Sequence, residues 1–187
     1  MYTTSDFRKG LKIEVEGKPW IIVDFQHVKP GKGGAFTRTR LKNMETGQVL
    51  ERTFRSGEKI GRPDLLEREM QFLYQATEGY CFMDTKSYEQ LFIDEEHLGD
   101  AKNYLKENID VKVLFFKEKP IGIELPTFVN LAITHTEPGF RGDTATGGTK
   151  PATLETGMVV QVPLFLNEGD MVKIDTRTDQ YIERVKE

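Results

Sequence analysis

The chain has 187 residues, of which 37% are hydrophobic and 30% charged, with a formal net charge of −4. That length exceeds one small barrel and suits two or three small domains, while 10% aromatics and recurrent apolar runs exclude disorder. No apolar run approaches the roughly 20 residues that cross a bilayer, and residues 1–12 lack the features of a secretory leader, so a cytoplasmic protein with no membrane partner is expected.

In chain order, the stretch from Ile13 to Glu16 alternates with period two, and Gly17-Lys18-Pro19 then turns the chain. Trp20 to Val23 returns as a strand and Phe25 to Val28 continues it. A second pairing runs from Ala35 through Leu41, turns at Glu45-Thr46-Gly47 and returns from Val49 to Phe54. Ser56-Gly57 and Gly61-Arg62-Pro63 mark a boundary. About five short strands in about 60 residues predict a small SH3-like, KOW-like barrel over residues 1–63.

Residues 64–126 form a second set. Leu65 to Gln75 reads as a strand feeding a turn at Glu78-Gly79, followed by strands at Tyr80 to Met83 and Gln90 to Ile93. Cys81 is the only cysteine, which excludes an intramolecular disulfide and a cysteine-based zinc site. Its apolar neighbours predict a buried structural thiol rather than a nucleophile. Asp94 to Glu107 is the best helical segment, split at Gly99. Its acidic start fits a helix's first turn better than a cation site with His97. Asp110 to Phe116 and Ile121 to Leu125 predict a hairpin around Lys119-Pro120, and Pro126 ends the set.

Residues 127–187 form the third set. Phe128 to Ile133 is a strand, a Gly/Thr-rich loop follows, and strands return at Met158 to Val162, Met171 to Asp175 and Tyr181 to Val185. Strand number and spacing predict oligonucleotide-binding (OB) barrels for the second and third sets. The fold class is therefore all-β, with three small barrels in tandem. Modules of about 60 residues bury only about 60% of their unfolded surface, so neighbours are expected to support one another.

Charge is unevenly spread. Residues 1–64 hold 13 Lys and Arg against 8 Asp and Glu, whereas residues 65–187 hold 13 against 22. No acidic residue falls between Gln26 and Met44, where Lys29, Lys32, Arg38, Arg40 and Lys42 lie. Such a stretch on an acidic body fits a phosphate-facing surface, and equally a solvated one. Arg38 and Arg40, two apart, are expected to share a strand face.

Within that stretch, Pro30, Gly31, Gly33 and Gly34 surround Lys32. Proline presets one backbone angle and glycine admits positive φ, so the run predicts a tight, exposed hairpin loop with Lys32 as its one long side chain. Three readings stand on chemistry alone: a solvated turn lysine, a phosphate cradle, and a probe or modification site. The cradle lacks the P-loop spacing and the following helix.

Phe7-Arg8-Lys9-Gly10-Leu11-Lys12-Ile13, followed by Val28-Lys29-Pro30-Gly31-Lys32-Gly33, resembles the start of the bacterial elongation factor P family. Pro138-Gly139-Phe140-Arg141-Gly142-Asp143-Thr144, Lys150 through Gly157, Val160 through Phe165 and Ile174-Asp175-Thr176-Arg177 resemble its later blocks, in the same order. The resemblance implies three β domains in an L-shaped, tRNA-like outline. It implies binding to the ribosome, through ribosomal RNA and proteins, beside the P-site peptidyl-tRNA, and relief of stalling at consecutive prolines. It places Lys32 toward the peptidyl-transferase centre, and in lysine-bearing members this side chain is often extended covalently by a modifying enzyme. Gly142, Asp143 and Thr144 are implied RNA contacts near the exit-site mRNA codon, and turn residues on any other reading. Lys29, Arg38 and Arg40 are candidate phosphate contacts.

No Gly-x-Ser-x-Gly elbow surrounds Ser5, Ser56 or Ser87, and His27, His97 and His135 show no metal spacing. A monomeric non-enzyme with no cofactor, no metal and no catalytic residue is expected. The alternatives are an elongation-factor-P-like paralogue, or a general RNA-binding protein of SH3-like and OB domains that does not depend on Lys32.

Overall fold

A computed structural model describes residues 1–139 and 147–186. The described chain is built from three antiparallel arrays. The first is ordered β1 (Lys12–Val15), β2 (Lys18–Val28), β3 (Phe36–Asn43) and β4 (Val49–Arg55). Glu16 and Gly17, with φ of 55° and 71°, make the tight turn between β1 and β2. Lys18 and Pro19, expected in that turn, already belong to β2, whose opening position tolerates a proline.

The two strands expected from Trp20 to Val28 are one. Register passes from Ile22 opposite Leu41 to Asp24 opposite Arg40, leaving Val23 as a bulge. An extra residue reverses which side chains face inward. Trp20 and Ile22 point into the core before it, and Asp24 and Gln26 are exposed after it. The array thus has four strands rather than five. In place of a fifth, Tyr2 and Ile60 exchange backbone hydrogen bonds of 2.8 Å, and Glu14 N–H donates to the Gly61 carbonyl at 3.0 Å. These bridges return the chain after β4 toward β1, over a core of Phe7, Ile13, Trp20, Ile22, Leu41 and Phe54. Phe7 and Phe54 meet edge to face at 5.3 Å. Each such buried side chain contributes about 1.5–3 kcal/mol.

The second array is ordered β7-β6-β5-β8-β9, from β5 (Leu66–Ala76), β6 (Gly79–Asp84), β7 (Gln90–Ile93), β8 (Asp110–Phe116) and β9 (Lys119–Glu124). Cys81 is buried in β6, as expected. The hairpin turn lies at Lys117 and Glu118, both at positive φ, and Pro120 sits inside the edge strand β9. Helix α1 is short (Glu95–Leu98) and ends at Gly99, where a 3₁₀ turn continues to Tyr104. The Asp94 carboxylate accepts from the His97 backbone N–H at 2.9 Å, which explains the acidic run as a cap.

The third array is ordered β12-β11-β10-β13-β14, from β10 (Phe128–Thr136), β11 (Thr149–Leu154), β12 (Val159–Pro163), β13 (Met171–Asp175) and β14 (Gln180–Arg184). β11, which contains Pro151, has no counterpart among the expected strands, since the Gly/Thr-rich stretch before Met158 reads as loop. Its β10 partner has ended by Pro151, so the missing N–H costs no ladder bond on that side.

The chain divides into two compact units, residues 1–67 with 114–122, and residues 68–113 with 123–187. The first also contains a small cluster of Leu114, Phe116 and Ile121, packed by Met44 and Leu65. In the second, Tyr104 joins Leu131, Leu154, Val162, Val172 and Ile174 in one core, and its hydroxyl donates to the Asp179 carboxylate. Burial and that carboxylate raise the Tyr104 pKa well above the usual phenol range. No helix among the described residues is long and apolar enough to cross a membrane.

Candidate nucleic-acid interface: a lysine at a hairpin tip

Residues 29–35 connect β2 to β3, with Val28 paired to Phe36 at the base. Lys29, Pro30, Gly31, Lys32, Gly33 and Gly34 are all exposed. Gly33, at φ 102°, requires glycine for its backbone. Gly31 and Gly34 do not. Neither lies in the left-handed region, and a Cβ added at either would meet nothing within 4 Å. The fold of this chain therefore does not ask for their smallness, while Lys32 stands among them with no ion pair among the described residues.

Strand β3 sets the rest of the site. Thr37 and Thr39 are each 2% exposed, and Arg38 and Arg40 between them are exposed, so the two arginines share the outer face. Arg38 lies opposite Gln26 and Thr53, both uncharged, whereas Arg40 lies opposite Asp24 and Glu51. Arg38 is thus the less compensated cation, its guanidinium 5.8 Å from the Phe36 ring centre. Asp24 is engaged by the Lys9 ammonium at 3.2 Å. That hydrogen bond and charge, with a lesser contribution from Arg40, hold the Asp24 carboxyl below the usual carboxylate range.

Metal spacing gives His27 no part, yet its Nδ1 hydrogen-bonds the Thr37 hydroxyl at 2.8 Å across the hairpin. Its cross-strand place opposite a threonine could have been found by pairing the two strands in register. Lys29, Lys32, Arg38 and Arg40 are therefore carried by one hairpin. Gly142, Asp143 and Thr144 lie outside the described residues.

An all-β chain of three antiparallel arrays with a basic hairpin is the class of protein that binds nucleic acid through small β modules. The models of the elongation factor P KOW-like domain, OB domain and C-terminal domain match residues 3–60, 65–123 and 129–184. The chain is 58% identical to elongation factor P of Bdellovibrio bacteriovorus over 187 residues, covering 100% of both chains. It is 58% identical to that of Natranaerobius thermophilus over 186 residues, covering 100% of this chain and 99% of the relative. It is 58% identical to that of Moorella thermoacetica over 184 residues, covering 98% and 100%. The chain belongs to the elongation factor P family, and so is a translation elongation factor. A solved eukaryotic translation initiation factor 5A from Methanococcus jannaschii overlays at a TM-score of 0.47 and 24% identity, over 67% of this chain and 90% of that one, and adds nothing to the assignment.

Proposed function

We propose that this protein binds the ribosome beside the P-site peptidyl-tRNA and stimulates peptide-bond formation at consecutive prolines, with Lys32 reaching toward the peptidyl-transferase centre. The observation that carries this reading is the pairing of an exposed, unpaired Lys32 with Gly31 and Gly34, whose smallness the chain itself does not need. Small flanking residues serve a side chain that must enter a narrow space, or be reached by a modifying enzyme. Lys29, Arg38 and Arg40 take tRNA phosphates, Arg38 the more strongly because no carboxylate stands opposite it. Gly142, Asp143 and Thr144 contact RNA near the exit-site codon.

Proline's ring constrains the reacting amine, and a cation laid along the acceptor end holds the substrates in a productive arrangement. Orientation of reactants is worth up to about 7–11 kcal/mol in ideal cases, far more than relief of a stall requires. The ribosome supplies the chemistry and the factor acts as a monomer without cofactor or catalytic group of its own. A covalent extension of Lys32 lengthens the same reach. Lys32→Ala is expected to fold normally and to abolish rescue of polyproline synthesis; retained rescue sinks the reading. Peptide mass spectrometry of protein from its native cells is expected to place a mass increment on Lys32.

A further inference from the structure

The outer face of the β2-β3-β4 sheet is divided by charge. Side chains opposite one another in an antiparallel ladder share a face. Three successive rows cross this one: Asp24, Arg40 and Glu51, then Gln26, Arg38 and Thr53, then Val28, Phe36 and Arg55 at the foot of the tip loop. In the first row Arg40 stands between two carboxylates. The two rows nearer the loop hold two arginines and no carboxylate. Arg38 and Arg55 are both exposed, and neither makes an ion pair among the described residues. The Glu58 carboxylate, three residues beyond Arg55, accepts instead from the Arg55 backbone N–H at 2.9 Å.

That arrangement does nothing for the sheet itself. Arg38 and Arg55 are diagonal neighbours, a spacing of about 7–8 Å at which like charges repel. One row away, the same sheet places a carboxylate on each side of an arginine. Two guanidiniums left without counter-ions on one face are suited to an anion from outside, because the planar fork matches phosphate and sheds its water easily. Phe36 steadies one of them, its ring centre 5.8 Å from the Arg38 guanidinium. The geometry points to Arg55 as a further RNA-phosphate contact, which makes Arg55, rather than Arg40, the stronger partner of Arg38. The inference rests on the ribosome-binding reading above and deepens it, since it sets where RNA lies closest. Contact is densest over the two rows next to the loop and weakens at the row of Asp24 and Glu51, whose carboxylates oppose phosphate. Spacing along the chain pairs Arg38 with Arg40, whereas strand register pairs it with Arg55.

The test measures the affinity of purified protein for ribosomes over a series of salt concentrations, with and without tRNA in the P site. Arg55→Gln is expected to reduce the slope of log affinity against log salt by about one, as much as Arg38→Gln and more than Arg40→Gln. Arg55→Lys should restore most of that slope, because phosphate also accepts an ammonium as a point charge. Lys86→Gln removes the same charge from an exposed turn of the second array and should leave the slope unchanged. A loss of slope that requires the tRNA assigns the phosphate to tRNA, and a loss on vacant ribosomes assigns it to ribosomal RNA; both support the inference. An Arg55→Gln slope equal to the parent's overturns it, and so does an equal loss in Lys86→Gln, which would make the effect one of net charge. Should Arg55→Gln fail to fold, Arg55→Met, which keeps the aliphatic stem, decides by the same two outcomes. If the parent itself binds ribosomes with no salt-dependent slope, the ribosome-binding reading fails on its own account. A sloping parent with an unchanged Arg55→Gln overturns the inference alone.

Discussion

The chain has two loop bases of opposite construction. The hairpin from Val28 to Phe36 rises from paired strands into glycines at which an added Cβ would meet nothing within 4 Å. Where the chain leaves β10 and where it enters β11, the buried Lys150 ammonium donates to the Glu137 carbonyl, Gly139 packs against the Leu164 backbone, and Glu168 accepts from the Thr136 N–H. The contrast teaches that a strand pair can end in two ways. An open loop leaves its one functional side chain free to enter a space that the partner shapes. A clamped base instead ties the ends of two neighbouring strands to each other and to a third segment.

Substitutions can break or sharpen that comparison. The largest expected effect is complete loss of polyproline rescue in Lys32→Ala with no change in melting temperature, because the side chain touches no core. Next is a difference between glycines. Gly139→Ala is expected to destabilise by about 1–3 kcal/mol through overpacking on Leu164, and Gly33→Ala by about 1 kcal/mol through its positive φ. Gly31→Ala and Gly34→Ala should stay within about 0.5 kcal/mol in a denaturant titration while impairing rescue. If Gly31→Ala destabilises as much as Gly139→Ala, the open-loop description is wrong.

A smaller effect separates the two arginines. Arg38→Gln is expected to reduce the slope of log affinity for ribosomes against log salt by about one, the signature of one lost phosphate contact. Arg40→Gln should reduce it less, since Asp24 and Glu51 already face Arg40. Equal slopes for the two variants would remove the distinction. The smallest effect concerns Asp24. Its pKa is lowered from 3.8 by Lys9, so its contribution is present above that value and lost as pH falls through the lower folded value. Asp24→Asn should therefore lower stability slightly at neutral pH and flatten its fall in acid, the difference from the parent vanishing once the pH is below the folded value.

Much of this was legible in residues alone. Alternation named most strands, and β7 and β13 have the bounds their apolar runs indicate. The split at Gly99 and an acidic helix start followed from local chemistry, whereas the cap made by Asp94 did not, and the tip loop followed from the spacing of Pro30, Gly31, Gly33 and Gly34. Prolines misled. Pro19 and Pro120 read as turn residues, yet each lies within a strand, near an opening or on an edge, and Pro151, in a stretch with no expected strand, lies within β11 past a neighbour's end. Whether a proline interrupts pairing depends on which neighbour stands beside it, and neighbours are not written locally.

By itself, the sequence determined the all-β class, the order of the elements and the exposed lysine, because turn chemistry and period-two burial act within a few residues. The tertiary structure decided the Val23 bulge, the place of β11, which arginine faces a carboxylate, and the close approach of Gly139 to Leu164. Those depend on register and on contacts such as Leu164 with Gly139, made between residues far apart in the chain, where no local preference reaches.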